Sequence, residues 1–201
     1  METLEFILDR FKLKSGMRPP IFLSISRENG YPELLRDLDF KVGAEIGVER
    51  GYYSETLCKH IPGLKLYSVD PWKAYRGYRI HVSQSKIDGF YDEAKTRLAP
   101  YNATLVREFS VDAAKQFEDG SLDFVYIDGN HDFVNIAMDL HAWTPKVRAG
   151  GIISGHDYIR KRGGKYTCHV KDVIQAWAYS HAINPWFVVQ HDKSPSWFWI
   201  A

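Results

Sequence analysis

The segment VGAEIGVERG, residues 42–51, places one acidic residue and closely spaced glycines at the end of an apolar run. Apolar residues before Glu45 are typical of a buried parallel strand, and Gly47 and Gly51 allow a sharp turn that approaches a ligand without a Cβ atom in the way. Ligands of open α/β sheets bind at the carboxyl ends of the strands, so the Glu45 carboxylate is expected at that edge. The segment predicts a nucleotide pocket. Glu45 could instead be a buried acid satisfied by backbone amides, but a buried carboxylate is costly unless it is partnered, which favours a functional partner.

A second carboxylate, Asp70, ends the run LKLYSVD and follows Gly47 by 23 positions. This is about the spacing at which an acid accepts hydrogen bonds from ribose hydroxyls after a glycine turn. In the structural alternative, Asp70 only caps the turn before Pro71. The pairing with the glycine turn favours the ribose interpretation.

Two further runs, LDFVYIDGNHD and RAGGIISGHDY, end in acidic and imidazole side chains. Asp128, His156 and Asp157 would open onto the same rim of the sheet and could bind a divalent cation such as magnesium. His131, three residues after Asp128, has a side chain suited to accept a proton near neutral pH, so it is the candidate general base. The alternatives are a metal-free acidic rim and a His131 that caps a helix or hydrogen-bonds the substrate.

Other candidates carry weaker signals. Ser110, after the third strand, could reach an adenine edge or simply form a turn. The irregular segment 72–88 is a candidate lid or substrate loop, and its aromatic and basic residues could stack on an acceptor or pack the loop: Trp72, Tyr75, Arg76, Tyr78 and Arg79. The basic run at 160–165 is expected to be a solvated loop rather than an anion site. Four tryptophans are expected in the core or at a dimer interface: Trp177, Trp186, Trp197 and Trp199.

The elements that would position these residues alternate between strand and helix, which predicts a doubly wound, mostly parallel α/β sheet. Seven strands are expected, the last two as an antiparallel C-terminal hairpin around the turn HDKSP: 42–46, 64–70, 102–108, 122–128, 150–154, 186–190 and 196–200. We expect a single domain over 1–201, with an N-terminal helical extension over 1–40 and a cofactor-binding, catalytic core over 41–201.

Composition excludes several classes of function. Lys and Arg total 26 against 25 for Asp and Glu, so the overall charge gives no case for nucleic acid or an anionic membrane as a partner. Cys58 and Cys168 lie far apart without a CxxC pattern, which argues against a zinc knuckle or a disulfide framework and fits a cytoplasmic protein. No run is apolar and long enough for a membrane span or a leader peptide.

Taken in order, the motifs EIGVERG, YSVDPW, VYIDGNHD and GGIISGHDY resemble those of class I S-adenosylmethionine-dependent methyltransferases. The likeness is greatest to the small-molecule branch of catechol and macrocin O-methyltransferases, and it spans roughly residues 30 to 200. It implies S-adenosylmethionine as cofactor, with the methionine part surrounded by Glu45, Gly47 and Gly51. In the expected mechanism, Asp128 would help Glu45 to fix the zwitterionic methionine end. By the same resemblance, Asp70 would bind the ribose and Ser110 the adenine region.

The resemblance also bears on the metal and the base. Catechol methyltransferases hold magnesium with two aspartates and an asparagine, which the resemblance carries to Asp128 and Asp157. Tyr158 stands at the asparagine position, so His156 is the replacement ligand that this sequence offers. The lysine base of those enzymes corresponds to His131, which together with Asp128 forms the expected catalytic pair.

The expected function is methyl transfer to a small-molecule acceptor, at oxygen, by a protein that could form a homodimer. One alternative is a nicotinamide-dependent oxidoreductase, although its usual GxGxxG pattern is absent. Others are a metal-dependent hydroxylase-like enzyme and a non-catalytic cofactor-binding protein on the same scaffold, because a fold does not fix a function.

Overall fold

The computed structural model describes residues 2–75, 83–163 and 167–201. Within them, eight strands form one sheet: β1 Ile21–Leu23, β2 Val42–Ile46, β3 Lys65–Val69, β4 Ala103–Val106, β5 Leu122–Ile127, β6 Val147–Gly155, β7 Trp186–Val189 and β8 Ser196–Ile200. Their order across the sheet is β1-β7-β8-β6-β5-β2-β3-β4. Only β8 runs antiparallel to its neighbours β6 and β7 among the pairs described. The predicted fold class, a doubly wound and mostly parallel sheet with an antiparallel C-terminal hairpin, is confirmed.

The sheet has one strand more than the sequence predicts. β1 pairs in parallel with β7 at the sheet edge, with Phe22 opposite Val188. Because this strand is only three residues long, it leaves no periodic pattern to recognise. The N-terminal extension over 1–40 is therefore not wholly helical.

Seven α-helices cover the sheet in the described part of the chain: α1 Thr3–Arg10, α2 Gly30–Asp37, α3 Tyr52–His60, α4 Gln84–Leu98, α5 Ser110–Ala114, α6 Phe133–Trp143 and α7 Val170–Ser180. Helix α4 starts inside the predicted substrate loop, where the Ser83 hydroxyl accepts a hydrogen bond from the Lys86 amide at 3.3 Å and caps the helix. Helix α6 is capped in the same way by Asp132, whose carboxylate accepts from the Asn135 amide at 2.9 Å. None of these helices combines the length and apolarity that a membrane crossing requires.

Two apolar layers hold the sheet, one on each face. The layer that includes Ile46, Val125 and Trp197 packs against α5, α6 and α7, and the layer that includes Tyr31, Leu57 and Phe124 packs against α1, α2 and α3. Alternate residues of each strand point to opposite faces, which explains why the central strands are buried almost throughout.

The first residues after the central strands are aligned by backbone hydrogen bonds that continue the ladders of the sheet. The Gly47 amide donates to the Val69 carbonyl at 2.9 Å, and the Asp128 amide donates to the Ile46 carbonyl at 2.7 Å. The His156 amide donates to the Ile127 carbonyl at 3.0 Å. The ends of β2, β3, β5 and β6 thus form one continuous edge, where the candidate residues meet.

Candidate functional site

The glycine turn after β2 requires both of its glycines. Gly47 has φ +91°, and a Cβ atom there would lie 2.2 Å from the Asp128 carbonyl oxygen. Gly51 has φ +77° and precedes α3 directly, where a Cβ atom would lie 3.3 Å from the Ala94 Cα. These are left-handed backbone conformations that favour glycine, so the turn that the sequence predicts is present and closely packed.

Asp70 organises this turn. Its Oδ2 accepts hydrogen bonds from the amides of Val48 and Glu49, each at 3.0 Å, and its Oδ1 accepts from the Trp72 amide at 2.8 Å. Burial raises the pKa of Asp70, against the opposing effect of these three backbone N–H groups. The turn-capping role considered as an alternative is therefore present. The ribose contact of Asp70 stays a prediction, and any ribose hydroxyl would share a carboxylate that already holds the loop.

Glu45 lies beneath the turn rather than on the open rim. Its side chain is 1% exposed, and its carboxyl group accepts a hydrogen bond from the Ser54 hydroxyl, which lies 2.9 Å from the Ser68 hydroxyl. Burial raises the pKa of Glu45 to about 8, although Ser54 and the charge of Arg27 act to lower it. Glu45 is therefore a buried acid, as one alternative held, but its partner is a hydroxyl group rather than backbone amides. Its contact with the cofactor stays a prediction.

The residues after β5 and β6 form a compact group that we call the rim cluster: Asp128, His131, His156 and Asp157. His131 Nε2 lies 3.0 Å from Asp157 Oδ2 and 3.5 Å from Asp128 Oδ1. His156 Nδ1 lies 3.5 Å from Asp157 Oδ2 and 3.6 Å from Asp128 Oδ1. Asp157 has φ +51°, in the left-handed region that few residues other than glycine, asparagine and aspartate adopt.

The electrostatics of the rim cluster are those of a partly buried set of ion pairs. Burial acts to raise the pKa of Asp128, but His131, His156 and Arg27 bring it down to about 2. Burial acts to lower the pKa of His131, but the two carboxylates raise it to about 9. The pKa of Asp157 is lowered and that of His156 raised by the same contacts.

These values bear on the predicted general base. A His131 imidazole that is protonated at neutral pH has no lone pair with which to take a proton from an acceptor. The structure places the imidazole between the two aspartates, which hold its proton. The base role of His131 stays a prediction, and it requires that this proton first be released. Asp128 keeps its predicted position at the centre of the site.

The rim cluster fits a divalent cation. One ligand atom each from Asp128, His131 and Asp157 lies within 4.8 Å of the other two. A four- to six-coordinate ion with bonds of about 2.1 Å separates neighbouring ligand atoms by roughly 3.0 to 3.4 Å, close to the distances observed here. His131 Nε2 lies between the two carboxylate oxygens and could bind a cation once it has released its proton. His131 therefore joins the predicted ligands Asp128, Asp157 and His156.

Arg27 also lies at the site, although no motif in the sequence indicates it. It follows β1, far from the motifs, and its Nη2 lies 3.2 Å from Asp128 Oδ2. Its guanidinium stacks on the Tyr53 ring with the Cζ atom 4.0 Å from the centroid. A cation thus faces the edge at which the acids meet.

Ser110, predicted near the adenine, is engaged with α6. Its hydroxyl donates to Asp139 Oδ1 at 2.5 Å and accepts from the Trp143 indole N–H at 2.9 Å. Burial raises the pKa of Asp139 to about 7, against the effect of the Ser110 hydrogen bond. The adenine contact of Ser110 stays a prediction, and Asp139 is a buried acid that the sequence analysis did not single out.

The remaining aromatic and basic candidates are mostly structural. Trp72 is buried and its indole N–H donates to the Glu49 carbonyl at 2.7 Å, while Tyr75 packs edge-on against Phe109. Tyr158, at the asparagine position of the resemblance, packs its ring against Trp186 and does not join the rim cluster. Trp186, Trp197 and Trp199 are core residues as predicted, and Trp177 stacks on His181.

Some candidates fall outside the described residues. These are Arg76, Tyr78 and Arg79 of the predicted loop and positions 164 and 165 of the basic run. Within that run, Arg160 pairs with Asp172 on α7, so this part of the run has a structural partner.

Comparison with solved structures agrees with the overall fold. A crystal structure of an O-methyltransferase from Bacillus cereus in complex with SAH superposes with a TM-score of 0.57 at 15% identity, covering 99% of this chain and 90% of the other. TomG, an O-methyltransferase from Streptomyces achromogenes crystallised with SAM, gives 0.58 at 15% identity, with 100% and 90% covered. At this level of identity, the likeness establishes the fold.

Sequence comparison adds the family. An uncharacterised protein of Sinorhizobium fredii, y4gI, is 26% identical in an alignment over 153 residues. The match covers 70% of this chain and 15% of that protein, so the chain spans only a small part of that relative. A family model described as a methyltransferase domain matches residues 44–158, from the strand that carries Glu45 through Tyr158. The matched region contains the glycine turn, Asp70 and the whole rim cluster, and the chain belongs to this methyltransferase domain family.

Proposed function

We propose that the protein transfers the methyl group of S-adenosylmethionine to an oxygen atom of a small-molecule acceptor, which binds beside a divalent cation. S-adenosylmethionine is the cofactor that membership of the family implies. The observation that carries the proposal is the single edge of the sheet at which the Gly47 turn, Asp70 and the rim cluster meet.

The strand order gives the cofactor a direction. Asp70 ends β3 and Asp128 ends β5, on opposite sides of β2 and its glycine turn. A ribose held near Asp70 would therefore direct the methionine end of the cofactor across Gly47 toward Asp128. The sulfonium would then lie between the turn and the rim cluster, where an acceptor can approach.

Methyl transfer is an in-line displacement, so the protein has mainly to align two groups and exclude water. Fixed positions can supply much of the acceleration of such a reaction. The Gly47 turn is packed directly on the Asp128 backbone, which fixes the distance between the cofactor loop and the rim cluster. Trp72 and the start of α4 cover the other side of the turn.

The rim cluster would hold the cation through Asp128, Asp157, His131 and His156. A bound divalent cation lowers the pKa of a coordinated hydroxyl and orients it, which suits a phenol or alcohol acceptor. Two imidazoles beside two carboxylates are borderline ligands, which favour Mn²⁺, Fe²⁺, Co²⁺ or Zn²⁺ over magnesium, an ion that prefers oxygen. The departure from an all-oxygen ligand set is therefore compatible with a metal and favours these ions over magnesium.

Ligand binding tests the proposal directly. By calorimetry, we expect the purified protein to bind S-adenosylhomocysteine and not NAD⁺, and to bind Mn²⁺ in competition with EDTA. Transfer from labelled S-adenosylmethionine to a panel of catechols should stop in EDTA and resume with Mn²⁺. Binding of NAD⁺ alone would refute the methyltransferase proposal, and full transfer in EDTA would refute the metal.

A variant pair makes the metal test specific. Asp157→Asn should weaken Mn²⁺ binding at least about tenfold, because it removes a charged ligand. The matched control is Asp112→Asn on the exposed surface of α5, where Asp112 pairs with Lys115. Equal Mn²⁺ affinity in both variants would exclude Asp157 as a ligand.

A further inference from the structure

Both the backbone and the guanidinium of Arg27 are held in place by contacts with the rest of the protein. Its backbone amide donates to Asp192 Oδ2 at 2.7 Å, which ties the segment after β1 to the loop between β7 and β8. The guanidinium lies 4.0 Å from the Tyr53 ring centroid and 5.3 Å from that of Tyr126. The side chain is 14% exposed, so a long flexible cation is fixed in one position at the edge of the site.

This guanidinium has more hydrogen-bonding capacity than the protein uses. Its Nη2 faces Asp128 Oδ2 at 3.2 Å, whereas its Nε is buried without a hydrogen-bond partner among the described residues. A guanidinium carries five N–H donors in a planar fork that matches a carboxylate. A buried donor without a partner is costly, so an anion that engages the rest of the fork would be favoured.

The position of Arg27 matches one end of the cofactor. On the proposed function, the amino-acid end of S-adenosylmethionine points from Gly47 toward Asp128. That end is a zwitterion, with an ammonium and a carboxylate group. The protein presents there a carboxylate and a guanidinium that already form an ion pair, Asp128 and Arg27. A bound zwitterion can replace this single ion pair by two ion pairs, one between its ammonium and Asp128 and one between its carboxylate and Arg27.

We propose that Arg27 binds the methionine carboxylate of the cofactor and so makes the N-terminal segment part of the cofactor site. This inference rests on the proposed function. It concerns a residue that lies outside the matched region 44–158. A carboxylate on the acceptor could bind Arg27 in the same way, and ligands with and without each carboxylate distinguish the two cases.

The test compares two ligands that differ only in the carboxylate. S-adenosylhomocysteine carries it, and S-adenosyl-3-thiopropylamine, the decarboxylated analogue, keeps the amine and the nucleoside. We expect wild type to bind the first at least about tenfold more tightly, as one charge-assisted pair would give. Arg27→Met should weaken S-adenosylhomocysteine binding by that factor and leave the analogue within about twofold, so that the preference disappears.

Two variants control for folding and charge. Arg36→Met removes an exposed arginine of α2 that pairs with Asp37, and it should leave both affinities unchanged. Arg27→Lys keeps the charge but loses the fork, so it should retain only part of the preference. Circular dichroism and thermal unfolding of each variant would report whether the fold is intact.

Each other outcome overturns the inference in an identifiable way. If Arg27→Met weakens both ligands equally, Arg27 has a structural role only. If it weakens neither, but removes a preference of the protein for 3,4-dihydroxybenzoate over catechol, the carboxylate belongs to the acceptor. If wild type binds neither adenosyl ligand, the proposed function fails together with the inference.

Discussion

Asp139 offers a test of the structure that needs no ligand. Its carboxyl group is buried on α6, with its Oδ1 accepting from Ser110, and its pKa is raised from 3.8 to about 7 by burial. The folded state therefore keeps a proton on Asp139 between these pH values, whereas the unfolded state has lost it. Because the folded state binds more protons, the free energy of unfolding falls as the pH rises from about 4 to about 7.

The expected size follows from the shift. About three pKa units correspond to roughly 4 kcal/mol of stability lost by pH 8, at 1.36 kcal/mol per unit. Asp139→Asn removes the titration but keeps an oxygen that can accept from Ser110. The variant should therefore be close to wild type only at about pH 4. Its advantage should be roughly 1.5 kcal/mol at pH 5 and should rise to roughly 4 kcal/mol at pH 8.

Urea unfolding, followed by tryptophan fluorescence at pH 5, 6, 7 and 8, measures this difference. The buried acid Glu45 has a raised pKa as well, but it is present in both proteins and cancels in the comparison. Asp112→Asn, on an exposed face of α5, is the matched control and should show no pH-dependent difference. A constant difference between Asp139→Asn and wild type across this range would refute the assignment of a neutral Asp139.

Three further predictions concern the site itself. Gly47→Ala should destabilise the protein by more than about 2 kcal/mol, because a Cβ atom would overlap the Asp128 carbonyl at 2.2 Å. The variant should also bind S-adenosylhomocysteine more weakly. Wild-type values in urea unfolding and calorimetry would contradict this prediction. Asp70→Ala leaves three backbone amides without their acceptor, so it should lower the free energy of unfolding by about 2 to 4 kcal/mol. It should also weaken cofactor binding. An effect on affinity alone would show that Asp70 has no structural role. His131→Ala should lower the affinity for Co²⁺ at least about tenfold and change the visible absorption of the bound ion, whereas an unchanged spectrum would remove His131 from the ligand set.

Local patterns predicted the parts of the site that depend on strand ends. Glu45, Asp70, Asp128 and Asp157 each follow from an apolar run that stops at a polar residue, and parallel strands bring such ends to one edge. The glycine turn was equally predictable, because Gly47 and Gly51 adopt backbone conformations that other residues avoid. The spacing of short motifs was sufficient for these positions.

What the patterns could not provide is which group each side chain meets. Glu45 follows the motif, yet its carboxyl group is buried against Ser54, on the next helix. His131 has the spacing of a base, yet Asp157, from a different strand, lies 3.0 Å away and raises its pKa. Such contacts depend on side-chain packing between elements distant in sequence, which spacing along one element does not encode.

Arg27 shows the same limit at the scale of the whole sheet. Its position depends on β1, which pairs with β7, and on the backbone hydrogen bonds that join the two segments after these strands. The His191 amide donates to the Ile25 carbonyl at 3.3 Å, and Asp192 then accepts from the Arg27 amide. The C-terminal hairpin therefore holds the N-terminal segment beside Asp128, which follows β5 and is separated from Asp70 by β2. The segment after β1 and the β7–β8 hairpin together form one side of the site, because the hydrogen bonds between them hold both in place.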